Sequence, residues 1–311
     1  MTEYHTLQEL QELAVHQKKE IWQIVQQEDM DASERTQEQS YEKMHQMYEA
    51  MKYADASYNG NLRSASGRAG GDGEKLHQYN ASGKNICGAF IGLIMEKAIK
   101  MGESNACMRR IVAGPTAGSC GVLPAVLLSF EEQFSATEEQ MVQALYVAAG
   151  IGKVIAENAF IAGAAGGCQA EIGSAAAMSA GALAYLQGAD PQTVMHAAIG
   201  SASAMAAGGV VHLSGGSAKE IANAAALALK NLLGLACDPV GGLVEVPCIK
   251  RNSYGAVNAV TSAQLALAGI RSAITPDDVI DSMRRIGNQM PTCLKETSEG
   301  GLATSASAEA Y

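Results

Sequence analysis

The chain has 311 residues, 48% of them hydrophobic but only 5% aromatic, and a formal charge of −10. That length supports a sizeable core in one large domain or two. The acidic balance argues against nucleic acid or an anionic membrane surface as a partner. With alanine and 33 glycines abundant, the expected fold class is mainly α, a multi-helix domain with small side chains at the helix contacts.

The first residues lack a basic start followed by an apolar run, so no secretory signal is expected. The longest stretches free of Lys, Arg, Asp and Glu are 111–130 and 191–218. Glycine and proline interrupt the first, and Ala, Gly and Ser dominate the second, so neither reads as a membrane span. Seven cysteines are an odd number for a disulfide framework. In a large chain expected in the cytoplasm they point to metal or core roles instead.

Residues 7–56 are polar with apolar positions at helical spacing, and predict two helices broken near 29–33, Asp31 or Ser33 capping the second. They form an N-terminal helical arm, exposed or at an interface, with Trp22 as its anchor; the remainder, 57–311, is the catalytic domain of this reading. A loop follows, Ser64-Ala-Ser-Gly-Arg-Ala-Gly-Gly-Asp-Gly-Glu-Lys75. Its Ser64, Ser66, Gly67, Gly70, Gly71 and Asp72 supply donors suited to a carboxylate or phosphate, and Lys75 adds charge. A flexible linker is the alternative. Helical patterns cover 86–101 and 105–112. A second small-residue loop, 113–121, places Thr116 and Ser119 before an apolar run, either as an anion site or as simple helix caps.

Ser135 with Glu138 has the spacing of a capping box and predicts a helix over 136–150. The apolar pattern continues through 151–166 with Lys153, Glu157 and Asn158 inside it. Asn158, ten residues before Cys168, is a candidate to line the same cavity; a satisfied core asparagine is the alternative. Residues 173–199 and 200–226 match at eleven of 27 positions without a gap, a local duplication of a helix pair. His196 and His212 lie in it at non-matching positions and read as structural. Asn252 or Ser253 is expected to cap a helix over 254–269, and Thr275-Pro276 to start a last one ending near 286.

The stretch Cys237-Asp-Pro-Val-Gly-Gly-Leu-Val-Glu-Val-Pro-Cys248 holds two thiols eleven positions apart, each near a proline, with a double glycine between. Proline biases its predecessor toward extended backbone, so Asp238 and Val246 should be extended, with a short β segment over 243–246. Cys168 follows Gly-Gly in a run that lets backbone approach a bulky group. Cys87, Cys107 and Cys120 sit in or beside apolar helical stretches and read as core. The short CxxC and HxxxH pairs that zinc favours are missing, and iron–sulfur clusters need no short motif, so spacing leaves the metal open.

Five stretches, SASGRAGGDGEKLHQY, AGPTAGSCGVLPAVL, AENAFIAGAAGGCQAEIGSA, GLACDPVGGLVEVPCIKRNSYGAVNA and MPTCLKETSEGGLA, occur in that order. Through them, residues 60–303 resemble the alpha subunit of iron–sulfur-dependent L-serine dehydratase. The resemblance implies a [4Fe–4S] cluster held by Cys168, Cys237 and Cys248, its remaining iron a Lewis acid toward the substrate hydroxyl, giving pyruvate and ammonia. It also implies a beta subunit as partner and substrate contacts from the 64–75 and Thr116–Ser119 loops, with Asn158 as a weaker carry-over. No catalytic base is implied; Lys75 is the only candidate. The chain departs from the family in three ways. Arg68 and Ala69 replace Leu and Thr in the first loop, the helix pair before Cys237 is duplicated, and the final Ala-Glu-Ala-Tyr311 lacks the closing cysteine of single-chain relatives. The loop change keeps a related lyase acting on cysteine or another β-substituted amino acid as the alternative enzyme. A non-catalytic helical scaffold is the alternative outside enzymes.

Overall fold

The structure, a computed structural model, describes residues 3–188, 231–267 and 274–310. The duplicated segment lies mostly outside them, as do His196 and His212. The described residues are mainly helical, and none of their helices is long and apolar enough to cross a membrane.

The N-terminal region forms three helices rather than two: α1 (Leu7–Gln17), α2 (Ile21–Ser33) and α3 (Gln37–Ala56). Thr36, not Asp31 or Ser33, caps α3, accepting from the Gln39 amide in a capping box. The polar composition conceals an apolar stripe. Tyr4, Leu7, Leu10, Ile21 and Ile24 are fully buried against α7 (Glu138–Asn158), and Trp22 packs at the edge of the same cluster.

The chain then runs through α4 (Asp72–Ala81) and α5 (Gly88–Ala106). The expected helix over 105–112 is not formed: α5 ends at Cys107, and Met108 turns the chain in left-handed backbone. After α6 (Val122–Phe134), Ser135 does not start the next helix but closes this one at φ 55°. The capping box belongs to Thr137 and Gln140. Helix α7 stops at Asn158, short of 166; a separate turn, α8 (Gly163–Gly166), intervenes before α9 (Cys168–Leu186). Helix α10 (Cys248–Leu267) begins at Cys248 itself, so Asn252 and Ser253 lie inside it. The expected start at Thr275 holds: its hydroxyl accepts from Asp278 N and caps α11 (Pro276–Gln289). A last turn is α12 (Ala306–Glu309).

Two apolar clusters make the core. One gathers α1–α3 around α7; the other packs α10 against α5, α6 and α9. The second is rich in alanine, including Ala175, Ala180, Ala256, Ala259 and Ala263, all fully buried. A Cβ added at Gly255 would come within 2.5 Å of Ile172. The small side chains let these helices approach closely, as composition suggested.

The expected β segment over 243–246 is absent. Val240 N bonds to Val246 O and Glu245 N to Leu243 O, so the loop is closed on itself and offers no ladder to a neighbour. The backbone pairing at this loop is an isolated parallel bridge, Cys237 with Lys295.

Candidate metal centre

Cys168, Cys237 and Cys248 arrive from three elements. Cys168 is the first residue of α9, Cys237 sits in the loop after Leu233, and Cys248 opens α10. All three are buried, at 1%, 2% and 4% exposure. Ligand atoms of Cys168, Cys237 and Glu171 lie within 4.8 Å of one another. The Cys248 sulfur stands outside that set but feels the charge of Cys168 and of Glu171. The ends of α9 and α10 thus present two helix N-termini to one place, which favours an anionic group.

One arginine organises the centre. Arg251 Nη1 donates to Cys168 Sγ at 3.4 Å and to the Ala236 carbonyl at 2.9 Å, and pairs with Asp238 at 2.8 Å. Its side chain is mostly covered, 14% exposed. The hydrogen bond from Cys237 and the Arg251 guanidinium hold the Cys168 thiol below the usual thiol range despite its burial. The same shared hydrogen bond and burial drive Cys237 up, and burial pushes Cys248 up to about 12.

Glu171, one turn along α9 from Cys168, escaped the sequence reading. It accepts a short hydrogen bond from Thr116 Oγ1, and burial raises its pKa. An i+3 carboxylate after a cysteine in an apolar helix was the available signal.

The C-terminal tail was also underrated. Cys237 N donates to Leu294 O at 2.8 Å, and Glu296 N to Cys237 O at 2.7 Å. Ser298 Oγ bonds to Pro239 O at 2.6 Å, and Leu302 N to Asp238 Oδ2 at 2.9 Å. Gly301, at φ 61°, leaves room that a Cβ would take, only 2.4 Å from that carboxylate. The tail straps the cysteine loop in place.

Of the expected substrate residues, the structure brings some to the centre. Ser66 Oγ donates to Glu245 Oε2 at 2.5 Å on the cysteine loop, and also contacts Ser64 Oγ at 3.1 Å. Arg68 Nη1 reaches Val240 O at 3.3 Å. Ala69, at the family's threonine position, is buried with Ile99 and Ile249. Gly67 lies on the exposed turn of this loop at φ 78°. Gly70, Gly71 and Asp72 lead instead to the N-terminus of α4, where Glu103 already takes the Asp72 and Gly73 amides at 2.7 and 3.1 Å. Lys75, 76% exposed, pairs with Asp72. Thr116 meets Glu171, whereas Ser119 is fully buried and bonds within its own turn, to Thr116 O at 3.4 Å and near Thr116 Oγ1 at 3.1 Å. Asn252 ties this loop to α10, accepting from Gly121 N at 2.8 Å and donating to Gly118 O at 2.7 Å.

Asn158 is a correction. It is exposed, and its amide donates to His5 O at 2.6 Å and Val154 O at 2.9 Å. It fastens the N-terminal segment to α7 rather than facing the cysteines.

The donor set fits a soft metal group: three thiols, a carboxyl and a guanidinium that stabilises thiolate. A Cβ at Gly163 would lie 2.7 Å from Cys237 Sγ, and one at Gly118 would lie 2.5 Å from Glu171, so glycines keep the space beside both open.

The serine dehydratase alpha chain family matches residues 16–199 and 195–303, two stretches that overlap inside the duplicated segment. The chain is 41% identical over 300 residues to the "Probable L-serine dehydratase, alpha chain" of Bacillus subtilis, covering 96% of this chain and 91% of that one. It is 37% identical over 287 residues to the "L-serine dehydratase, alpha chain" of Peptoniphilus asaccharolyticus, covering 92% and 89%. With the "L-serine dehydratase" of Streptomyces coelicolor it shares 40% identity over 208 residues, 66% of this chain and 40% of that longer protein. The chain belongs to the serine dehydratase alpha chain family.

Proposed function

We propose that this chain is the alpha subunit of an L-serine dehydratase that works with a beta subunit in the cytoplasm. Cys168, Cys237 and Cys248 would hold a [4Fe–4S] cluster. The observation that carries this reading is the burial of three thiols from separate elements around Arg251. When bound, a cluster with one iron free of cysteine supplies a Lewis acid for a departing hydroxyl. The family membership supports serine as the source of that hydroxyl.

The chain's own residues supply the rest. Arg251 donates to Cys168 Sγ, which favours a thiolate there, and fixes the cysteine loop through Asp238 and the Ala236 carbonyl. Ser64, Ser66 and the backbone of the 64–69 turn, docked on Glu245, are the donors for the substrate carboxylate. Glu171, held by Thr116, is the group through which a proton enters or leaves; burial raises its pKa, which makes it a better proton donor and carrier than a surface glutamate would be. Loss of the Cα proton and Cβ hydroxyl releases water and leaves an aminoacrylate, which gains a proton at Cβ and loses one from nitrogen to become the imine. Hydrolysis of the resulting imine consumes one water and gives pyruvate and ammonia.

The test is an anaerobic assay of the reconstituted chain with its beta partner. Serine-dependent pyruvate and ammonia in equal amounts are expected. Sulfide release from cysteine with no turnover of serine would replace this reading with a cysteine lyase. No turnover of either, with iron bound, would contradict it.

A further inference from the structure

Away from the cysteines, a cavity of about 330 Å³ opens between α2, α3 and α7, with Met178 of α9 also in its lining. That volume lies within the range of small-molecule sites, roughly 300–1,000 Å³. Its walls are chiefly apolar. Met44, Met47 and Met51 stand at positions i, i+3 and i+7 of α3 and share one face. Thioether side chains adjust to irregular guests, and apolar cavities of this kind accept apolar ligands.

The polar groups of the lining are not equivalent. Tyr146 hydroxyl contacts Ser40 Oγ at 2.7 Å, Ser40 donates to Asp29 at 2.6 Å, and Arg35 pairs with Asp29 at 3.3 Å. Asp29 is therefore already compensated. Lys43 also lines the cavity, is exposed, and has no ion pair or hydrogen bond among the described residues. An apolar bore with one uncompensated cation in its lining selects an apolar chain ending in an anion.

We infer that this cavity binds a medium-chain aliphatic carboxylate, its chain among the methionines and its carboxylate at Lys43. The lining includes Ala113 and Gly114, which lead directly into Pro115 and Thr116. An occupant would therefore touch the strand of chain that carries the Thr116 hydroxyl to Glu171.

The probe is octanoate, titrated calorimetrically into the purified full-length chain, with octylamine and 1-octanol as comparators. Octanoate should bind once per chain and more tightly than either comparator. Lys43→Gln, a surface change, should weaken octanoate by about two- to fivefold, the size of an exposed charge contact. Lys43→Glu should turn the preference toward octylamine. Ala148→Met, which extends a side chain into the bore, should abolish binding; should that variant fail to fold, the two Lys43 variants decide alone. No octanoate binding at concentrations of several millimolar, or binding that ignores the charge at position 43, would overturn the assignment. Because binding is read on the chain without cluster or substrate, this outcome is independent of the dehydratase reading.

Discussion

Glu171 and Arg251 are the two residues on which the centre turns, and their roles separate experimentally. If Glu171 exchanges a proton, Glu171→Gln should lower kcat by about 100-fold or more while bound iron and its colour remain. Loss of the iron together with activity would make Glu171 a ligand instead. Arg251 is mostly covered and paired at 2.8 Å with Asp238, which is buried. Removing one partner of such a pair leaves the other charge uncompensated, so Arg251→Met should cost about 3 kcal/mol in denaturant unfolding of the metal-free chain. Glu96 offers a pH test away from the centre. Burial raises its pKa, but hydrogen bonds from Lys100, Asn80 and His77 outweigh burial and leave it lowered. A group whose folded pKa is depressed stabilises above its unfolded pKa, about 4.3 for glutamate, and loses that contribution as pH falls through the folded value. Glu96→Gln should thus be less stable than the parent at pH 7 and equal to it below both values. A constant difference across that range would refute the assignment.

At the scale of elements, the joint between the N-terminal helices and α7 depends on one glycine. A Cβ at Gly150 would lie 2.4 Å from Val25 Cγ2 and 3.1 Å from the Tyr4 hydroxyl. Alanine is the better helix former by about 1 kcal/mol. Overpacking against a stiff β-branched valine costs about 1–3 kcal/mol. Gly150→Ala should therefore lower the melting temperature; a rise would mean that α2 moves away at little cost. The element boundaries show what single-sequence reading misses. Ser135 and Thr137 both offer capping chemistry two residues apart, and tertiary packing places Ser135 at the close of α6 and Thr137 at the start of α7. Asn252 looked like a cap because asparagine favours caps, yet inside α10 its amide spends its bonds on Gly118 and Gly121 of a distant loop.

Across the whole molecule, the legible features were those written in local chemistry. The small-residue composition announced helices in close contact, and the alanine-lined α9–α10 contact bears that out. The glycine- and serine-rich loop was read locally as an anion site or a linker; that Ser66 reaches Glu245 on the cysteine loop is a long-range contact its composition did not announce. The unread features depend on which segments meet. Nothing local in α1–α3 distinguishes an exposed arm from one buried against α7, because the apolar stripe is sparse among glutamines and glutamates. The strand expected over 243–246 failed for the same reason, since a strand needs a partner and the tail supplies only one bridge. The tail's strapping role and Arg251's three partners are likewise long-range facts.

The most direct test of the three-thiol centre is the iron and sulfide content of the anaerobically reconstituted chain and of its single-cysteine variants. Replacing Cys168, Cys237 or Cys248 by serine should each strip iron, sulfide and visible absorbance, while Cys107→Ser should leave all three unchanged. Full iron and sulfide in any one of the first three variants would contradict the account.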